Sequence, residues 1–158
     1  MTVRGSSTIL ELIDTHVHLD VSPLCEDLAA TWSAAQQAGL SRAIAMGVRP
    51  ATWQRLVELT RPLPGVHHAL GIHPQVVAEL SPHDVEASLQ ALPQQLVDTG
   101  AVAVGECGLD GAALDLERQE VIFDAQLGIA RSLNLPLAIH VFRAHERALR
   151  ILRRHPGV

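Results

Sequence analysis

Two histidines separated by a single residue, His16 and His18, are the side chains best suited by type and spacing to bind a metal ion. They follow the mostly apolar run 9–13, which predicts a strand. Side chains two residues apart in a strand point to the same face, so both imidazoles can reach one ion while Val17 packs on the other side. The alternative interpretation is a pair of polar residues where a strand meets solvent.

Three later apolar runs also end in side chains that bind metals. His73, Glu106 and His140 each stand at the end of such a run. The carboxyl ends of parallel strands meet at one rim of a barrel, where barrel enzymes place their active sites. Histidine and glutamate from four strand ends form a ligand set typical of Zn²⁺, Mn²⁺ or a related divalent ion. The alternatives are an exposed acid for Glu106 and a hydrogen-bonded core histidine for His140.

The elements that must position these side chains follow from hydrophobic periodicity, which predicts five strands, each followed by a helix. Ser81 and Pro82 predict the start of the third helix, and Pro93 is expected to break or kink it. The strands are predicted near Ile9–Asp14, Arg42–Gly47, Val66–Ile72, Ala101–Gly105 and Leu135–Ile139. The buried stripe of the fourth helix is predicted at Ile122, Ala125, Ile129 and Leu133.

This alternation predicts an α/β fold with a parallel sheet and right-handed crossovers. It fits an open doubly wound sheet as well as a closed eight-stranded barrel. No Gly-x-Gly-x-x-Gly follows the first strand, so a dinucleotide site has no support. The polar residues at the strand ends favour the barrel.

Length and composition fit one soluble domain over residues 1–158, with 47% hydrophobic and 18% charged residues. The formal net charge of −5 gives no general attraction for nucleic acid, so such a substrate must be held by a local site or by metal ions. Cys25 and Cys107 form no disulfide framework, and the N-terminus lacks a signal-peptide core. No apolar run reaches membrane-spanning length, and we expect a cytoplasmic protein with no membrane partner.

Taken together and in order, these motifs resemble those of the TatD-type metal-dependent deoxyribonucleases. The resemblance rests on residues 14–18 (DTHVH), 71–74 (GIHP) and 105–110 (GECGLD), and on His140 with His145. The stretch between the glutamate motif and the third histidine motif is also similar, at Arg118, Gln119, Phe123, Gln126, Ala130, Leu135 and Pro136.

The resemblance implies a TIM (β/α)8 barrel with two divalent metal ions, of Mg, Mn or Zn, acting on DNA. By position, His16 and His18 would bind one ion and His140 the other, with Glu106 as the bridging and catalytic carboxylate. A carboxylate can span two ions, whereas each neutral imidazole binds one. The two ions would activate a water molecule to cleave a phosphodiester bond.

The same resemblance places His73 near the substrate, with a simple loop histidine as the alternative. His145 is expected in the first turn of the next helix, where it could contact an anion or water, and Arg143 is the third candidate substrate-binding residue. Family members usually carry an arginine two residues after the third metal histidine, where this chain has Phe142. Arg143 then supplies the charge from the neighbouring position. Asp110 is expected either to orient a ligand or to cap the turn that follows it, and Cys107 is expected to pack as a small apolar side chain.

The length of 158 residues departs from the family pattern, because a (β/α)8 barrel takes about 250 residues. About five of eight units are predicted, so we expect a partial barrel. A metal-binding histidine after the sixth strand and a water-activating aspartate after the eighth have no counterpart in the sequence. We therefore expect turnover only if self-association or a complementing chain supplies them through the open barrel edges.

Two other functions remain open from the sequence. A metal-dependent amide or ester hydrolase is one, because His-x-His barrels also serve that chemistry. Many such enzymes use a bridging lysine, and all twelve basic residues here are arginine. The second alternative is a non-catalytic fragment.

Overall fold

Five strand–helix units in series make up the structure, a computed structural model that describes residues 11–157. The strands are β1 (Leu12–Val17), β2 (Leu40–Gly47), β3 (Val66–Leu70), β4 (Ala103–Asp110) and β5 (Leu137–Phe142). The α-helices are α1 (Leu28–Gln37), α2 (Trp53–Thr60), α3 (Pro82–Thr99), α4 (Leu116–Leu133) and α5 (His145–Leu152). Two 3₁₀ segments complete the description, at Pro50–Thr52 and Pro74–Glu79.

All five strands are parallel and pair in chain order, β1-β2-β3-β4-β5, in one curled sheet. Its outer face packs on the helices, as in the cluster of Leu70 with Leu56 and Leu96. Its inner face carries Met46 and Ala69 in a cluster drawn from strands only. The predicted partial TIM barrel is confirmed, because a parallel sheet curled with helices outside is the barrel architecture.

The last two strands run further than predicted. β4 continues past Gly105 to Asp110, and β5 continues past Ile139 to Phe142, so the predicted ends of both strands are wrong. The glycines of β4 allow close approach to β5: a Cβ at Gly108 would collide with the His140 carbonyl oxygen. Glycine is uncommon inside strands, so the sequence pattern did not predict the second half of β4.

The first strand also differs from its prediction. β1 spans Leu12–Val17 and therefore includes His16, with His18 directly after it. The predicted start at Ile9 lies outside the described residues. The Asp14 carboxylate accepts a hydrogen bond from the His16 backbone N–H at 2.9 Å, which holds the end of the strand.

The third helix begins as predicted but is not broken. Ser81 Oγ accepts a hydrogen bond from the Asp84 N–H at 3.1 Å, and Pro82 is the first helical residue. α3 continues through Pro93 to Thr99, so the predicted break is wrong. Leu92 and Leu96 on either side are fully buried, and this packing outweighs the backbone hydrogen bond that proline lacks.

The buried face of α4 differs from the predicted stripe. Ile122 is buried, whereas Ala125, Ile129 and Leu133 are only half-buried. The observed face includes two glutamines, which a search for apolar residues passes over. Its buried residues are Gln119, Ile122, Phe123, Gln126, Leu127 and Ala130.

Within residues 11–157, β1 and β5 each pair with a neighbour on one side only. Apolar side chains of both strands are exposed, among them Ile13 at 54% and Ile139 at 38%. In the same part of the chain, none of the helices combines the length and apolar character that a membrane crossing needs.

Candidate metal centre

Glu106 on β4 lies at the centre of four histidines, and its two carboxylate oxygens face different pairs of them. His16 Nε2 and His18 Nε2 lie 3.0 and 3.5 Å from Oε2. His73 Nε2 and His140 Nδ1 lie 3.4 and 3.2 Å from Oε1. The side chain of Glu106 is only 6% exposed. One buried carboxylate therefore joins side chains from three other strand ends.

These side chains form two groups of three ligand atoms, and each group lies within 4.8 Å. One group is His16, His18 and Glu106, and the other is His73, Glu106 and His140. Both contain Glu106, and the chemistry of these donors fits a divalent cation. Imidazole nitrogen with carboxylate oxygen suits Zn²⁺ or Mn²⁺.

An orphaned polar atom supports this fit. Glu106 Oε2 is buried and has no hydrogen-bond partner, although His16 Nε2 is only 3.0 Å away. The two atoms are close but not aligned as donor and acceptor. A buried carboxylate oxygen without a hydrogen bond is costly in free energy, whereas a cation between it and the imidazoles would satisfy it.

The surroundings of Glu106 keep its carboxyl ionised. Burial raises the pKa of Glu106, but the hydrogen bond from His73 and the electrostatic interactions with His73, His16 and His140 outweigh it and lower the pKa to about 2. A metal ligand must be deprotonated, so this carboxyl is ready to bind a cation over the physiological pH range.

His73 is held differently from the other histidines. Its Nδ1 accepts a hydrogen bond from the Gln75 backbone N–H at 3.1 Å. A neutral imidazole that accepts at Nδ1 carries its proton at Nε2, so Nε2 donates toward Glu106 Oε1. In that tautomer His73 is a hydrogen-bond donor at the site and has no free Nε2 lone pair for a metal.

His140 on β5 connects Glu106 to a second acid. Its Nε2 lies 3.3 Å from Asp110 Oδ2, while its Nδ1 faces Glu106. Asp110 also accepts a hydrogen bond from Gln75 Nε2 at 2.7 Å, and its Oδ1 accepts one from the Ala112 N–H at 2.9 Å. Asp110 therefore contacts a candidate ligand and also caps the following turn, which the sequence left as alternatives.

The ionisation of Asp110 suits this position. Burial raises the pKa of Asp110, but hydrogen bonds from Gln75, from the Ala112 backbone and from His140 outweigh it, and its pKa lies below the usual range. An ionised Asp110 orients the His140 ring and increases the basicity of its other nitrogen.

The remaining predicted residues lie further out. His145 is the first residue of α5, and Arg143 precedes that helix with its guanidinium 5.0 Å from the Phe142 ring centroid. Neither belongs to the groups around Glu106. Cys107 packs in a buried cluster beside Phe123 and Leu127, as predicted.

Two glutamines of α4 support the site; both belong to the stretch that resembles the family, but no structural role was predicted for them. Gln119 Oε1 accepts a hydrogen bond from the Asp110 N–H at 2.8 Å. Gln126 Oε1 accepts one from the Ile72 N–H at 2.8 Å, next to His73. They lie two helical turns apart on one buried face, and that spacing of polar residues was the available signal.

Comparisons with known proteins agree with this geometry. The model of a family described as TatD related DNase matches residues 13–158. An uncharacterized metal-dependent hydrolase YjjV of Escherichia coli K12 is 34% identical over 149 residues, covering 93% of this chain and 57% of that protein. A 3'-5' ssDNA/RNA exonuclease TatD of Erwinia tasmaniensis is 32% identical over 145 residues, covering 90% of this chain and 54% of the relative.

A solved structure is also similar. The crystal structure of YjjV, a TatD homolog from Escherichia coli K12, matches with a TM-score of 0.83 and 34% sequence identity. The match covers 93% of this chain and 57% of that one. The chain thus spans somewhat more than half the length of the relatives it matches.

Proposed function

The chain belongs to the TatD-related DNase family, and on that premise we propose that it cleaves phosphodiester bonds in DNA with two divalent ions held around Glu106. One observation carries the proposal: the two oxygens of this single buried carboxylate face separate pairs of histidines. That arrangement supports two cations that share Glu106, as in two-metal phosphodiesterases.

Four side chains hold the ions in this proposal. His16 and His18 bind one ion, His140 binds the other, and Glu106 bridges them. The bound ions, of Mg, Mn or Zn, supply a water of lowered pKa and neutralise charge on the phosphate. Asp110 keeps the His140 ring in place through its contact with Nε2.

Three other side chains act on the substrate in this proposal. When a cation occupies Glu106 Oε1, the His73 Nε2–H would turn its hydrogen bond from that oxygen to a substrate oxygen, and the Nδ1 hydrogen bond from the Gln75 N–H keeps the proton at Nε2. Arg143 and His145 lie at the start of α5. There they attract phosphates of the DNA strand beyond the one that is cleaved.

Single-stranded DNA is the proposed substrate. Curated relatives carry the name 3'-5' ssDNA/RNA exonuclease, which supports a nucleic-acid strand over an amide or ester. The net charge of −5 means that the phosphates are held by the local site and its ions. The free thiols of Cys25 and Cys107 support a cytoplasmic location.

We also propose that β1 and β5 pair with further strands, from a second copy or from a complementing chain. Each has one unpaired backbone edge within the described residues, and Ile13 and Ile139 are exposed there. An apolar strand edge of this kind favours pairing with another strand. Light scattering over a range of protein concentrations tests pairing with a second copy, and a monomer at every concentration would contradict that form of pairing.

The function is tested with Glu106→Gln, which keeps the shape of the side chain and removes its charge. We expect Mn²⁺-dependent release of nucleotides from single-stranded DNA by the parent, and a loss of at least about 100-fold in the variant, because charge is lost at both ions. Glu86→Gln on the exposed surface of α3 is the matched control and should cut at the parental rate. Equal rates for Glu106→Gln and the parent would overturn the proposal.

A further inference from the structure

We propose that Phe142 forms a stacking subsite for a nucleobase of the substrate, beside the Glu106 cluster. The proposal rests on the function proposed above and adds how the strand is held. Its basis is the position of one exposed aromatic ring, a cavity next to it and a guanidinium close to the ring.

Phe142 differs from every other aromatic ring of Phe, Trp or Tyr in the chain, which contains two Phe, two Trp and no Tyr. Trp32 and Trp53 are each 4% exposed, and Phe123 is fully buried. All three pack in the interior. Phe142 is 44% exposed. The one ring offered to solvent therefore stands on the rim where the candidate ligands meet.

Phe142 and His140 lie on the same face of β5, because side chains two apart in a strand point the same way. The same alternation puts Ala138 in the inner cluster of the sheet. His140 contacts Glu106 with one ring nitrogen and Asp110 with the other. A base stacked on Phe142 would thus lie next to His140, and so close to the proposed position of the scissile phosphate.

A cavity of about 420 Å³ lies at this position, and Gln75, Asp110, His140 and Phe142 are among its lining residues. That volume falls in the range of small-molecule sites in proteins. Its walls combine an aromatic ring with hydrogen-bonding side chains. Purine and pyrimidine bases need both, because they have a π face and a polar edge.

Arg143 adds a charge to the ring. Its guanidinium carbon lies 5.0 Å from the Phe142 ring centroid, within the distance of a cation–π contact. A cation beside a stacking platform attracts the phosphate joined to the stacked nucleotide. The pair therefore offers one surface for a base and one charge for its phosphate.

The same exposed ring would also suit simple apolar packing against another strand, and substitutions separate the two roles. Phe142→Leu keeps an apolar side chain but removes the π face, whereas Phe142→Tyr keeps the π face. Val97→Ala on α3, at another exposed apolar residue, is the control.

The experiment measures fluorescence anisotropy with two single-stranded probes of equal length and charge, one oligothymidylate and one abasic, both with phosphorothioate linkages that resist cleavage. Mn²⁺ is present, and a gel verifies intact probe after each titration. Base stacking on an aromatic residue changes affinity by about 5- to 150-fold per base. We expect the parent, Phe142→Tyr and Val97→Ala to bind the thymidylate probe more tightly than the abasic probe by a factor in this range. In Phe142→Leu we expect the two affinities to become equal.

A second probe needs no variant: a single 2-aminopurine in an otherwise abasic oligomer loses fluorescence when its base stacks on a ring. We expect quenching on binding to the parent. Unchanged fluorescence, or a base preference that persists in Phe142→Leu, would overturn the subsite. Equal binding of both probes with Glu106-dependent cutting would overturn the subsite alone, whereas no binding and no cutting would overturn the proposed function with it.

Discussion

Gln126 on α4 hydrogen-bonds both backbone polar groups of Ile72, accepting from its N–H at 2.8 Å and donating to its carbonyl at 3.2 Å. Ile72 lies beyond the end of β3 at Leu70. The glutamine therefore replaces the pairing that a neighbouring strand would provide, and it fixes the backbone directly before His73.

Replacing Gln126 by alanine should destabilise the chain by about 1–3 kcal/mol, because two buried backbone groups lose their partner. Urea unfolding measures the change. Gln90→Ala is the control: its side chain is exposed and bonds only Glu86, so we expect a change within about 0.5 kcal/mol. Similar values for the two variants would contradict the supporting role of Gln126.

Removing the histidines of one ligand group around Glu106 should lower the metal content of the chain without abolishing it. We expect His16→Ala/His18→Ala to retain one equivalent of Mn²⁺ less than the parent after dialysis, because the position at Glu106 Oε2 loses both imidazoles. Elemental analysis measures the equivalents, and His83→Ala, at an exposed residue of α3, is the control. Equal metal in the double variant and the parent would remove these histidines from the site.

His68 should make stability fall in mild acid. Burial, with smaller contributions from the charges of His67 and Arg61, lowers the pKa of His68 from 6.5, and its Nε2 has no hydrogen-bond partner. The unfolded chain takes up a proton as pH falls below 6.5 and the folded chain resists it, so stability present above pH 6.5 is lost below it. Urea midpoints at pH 7.5 and 5.5 should differ less in His68→Leu than in the parent.

His83→Gln serves as the control for that comparison, because His83 is exposed and should leave the pH difference unchanged. A His68→Leu variant with the full parental difference would show that other groups account for the acid sensitivity.

Cys107 should be inert in the folded chain although it follows Glu106. Burial, with the charge of Glu106, raises the pKa of its thiol, and its Sγ lies 3.7 Å from the Ala138 carbonyl oxygen. We expect iodoacetamide at pH 8 to label Cys107 only after denaturation, while half-buried Cys25 reacts in the native state. Native labelling of Cys107, detected by peptide mass spectrometry, would contradict this.

The positions of His16, His18, Glu106 and His140 followed from the sequence because each lies at the end of an apolar run, and parallel strand ends meet at one rim. The alternation of strands and helices likewise determined the parallel sheet. Both are local patterns. The extension of β4 through Asp110 was missed because Gly105 and Gly108 weaken the strand pattern, whereas in the fold they allow the close approach of β5.

Local sequence patterns could not predict contacts between residues that are far apart in the chain. Gln126 and Ile72 are 54 residues apart, and the bond from Gln75 to Asp110 spans 35 residues. The tautomer of His73 likewise depends on the Gln75 backbone N–H, because that N–H donates to Nδ1. Its direction is defined only in the folded loop. Side-chain types predicted the chemistry of the site, while its hydrogen bonds required the tertiary structure.

The bridging role of Glu106 is tested most directly by anomalous diffraction from crystals of the chain grown with Mn²⁺. We expect two peaks, one on each side of Glu106, each about 2.0–2.2 Å from one of its oxygens. His16 and His18 should contact the first peak, and His140 the second. A single peak, or two peaks of which Glu106 touches only one, would contradict the two-metal assignment.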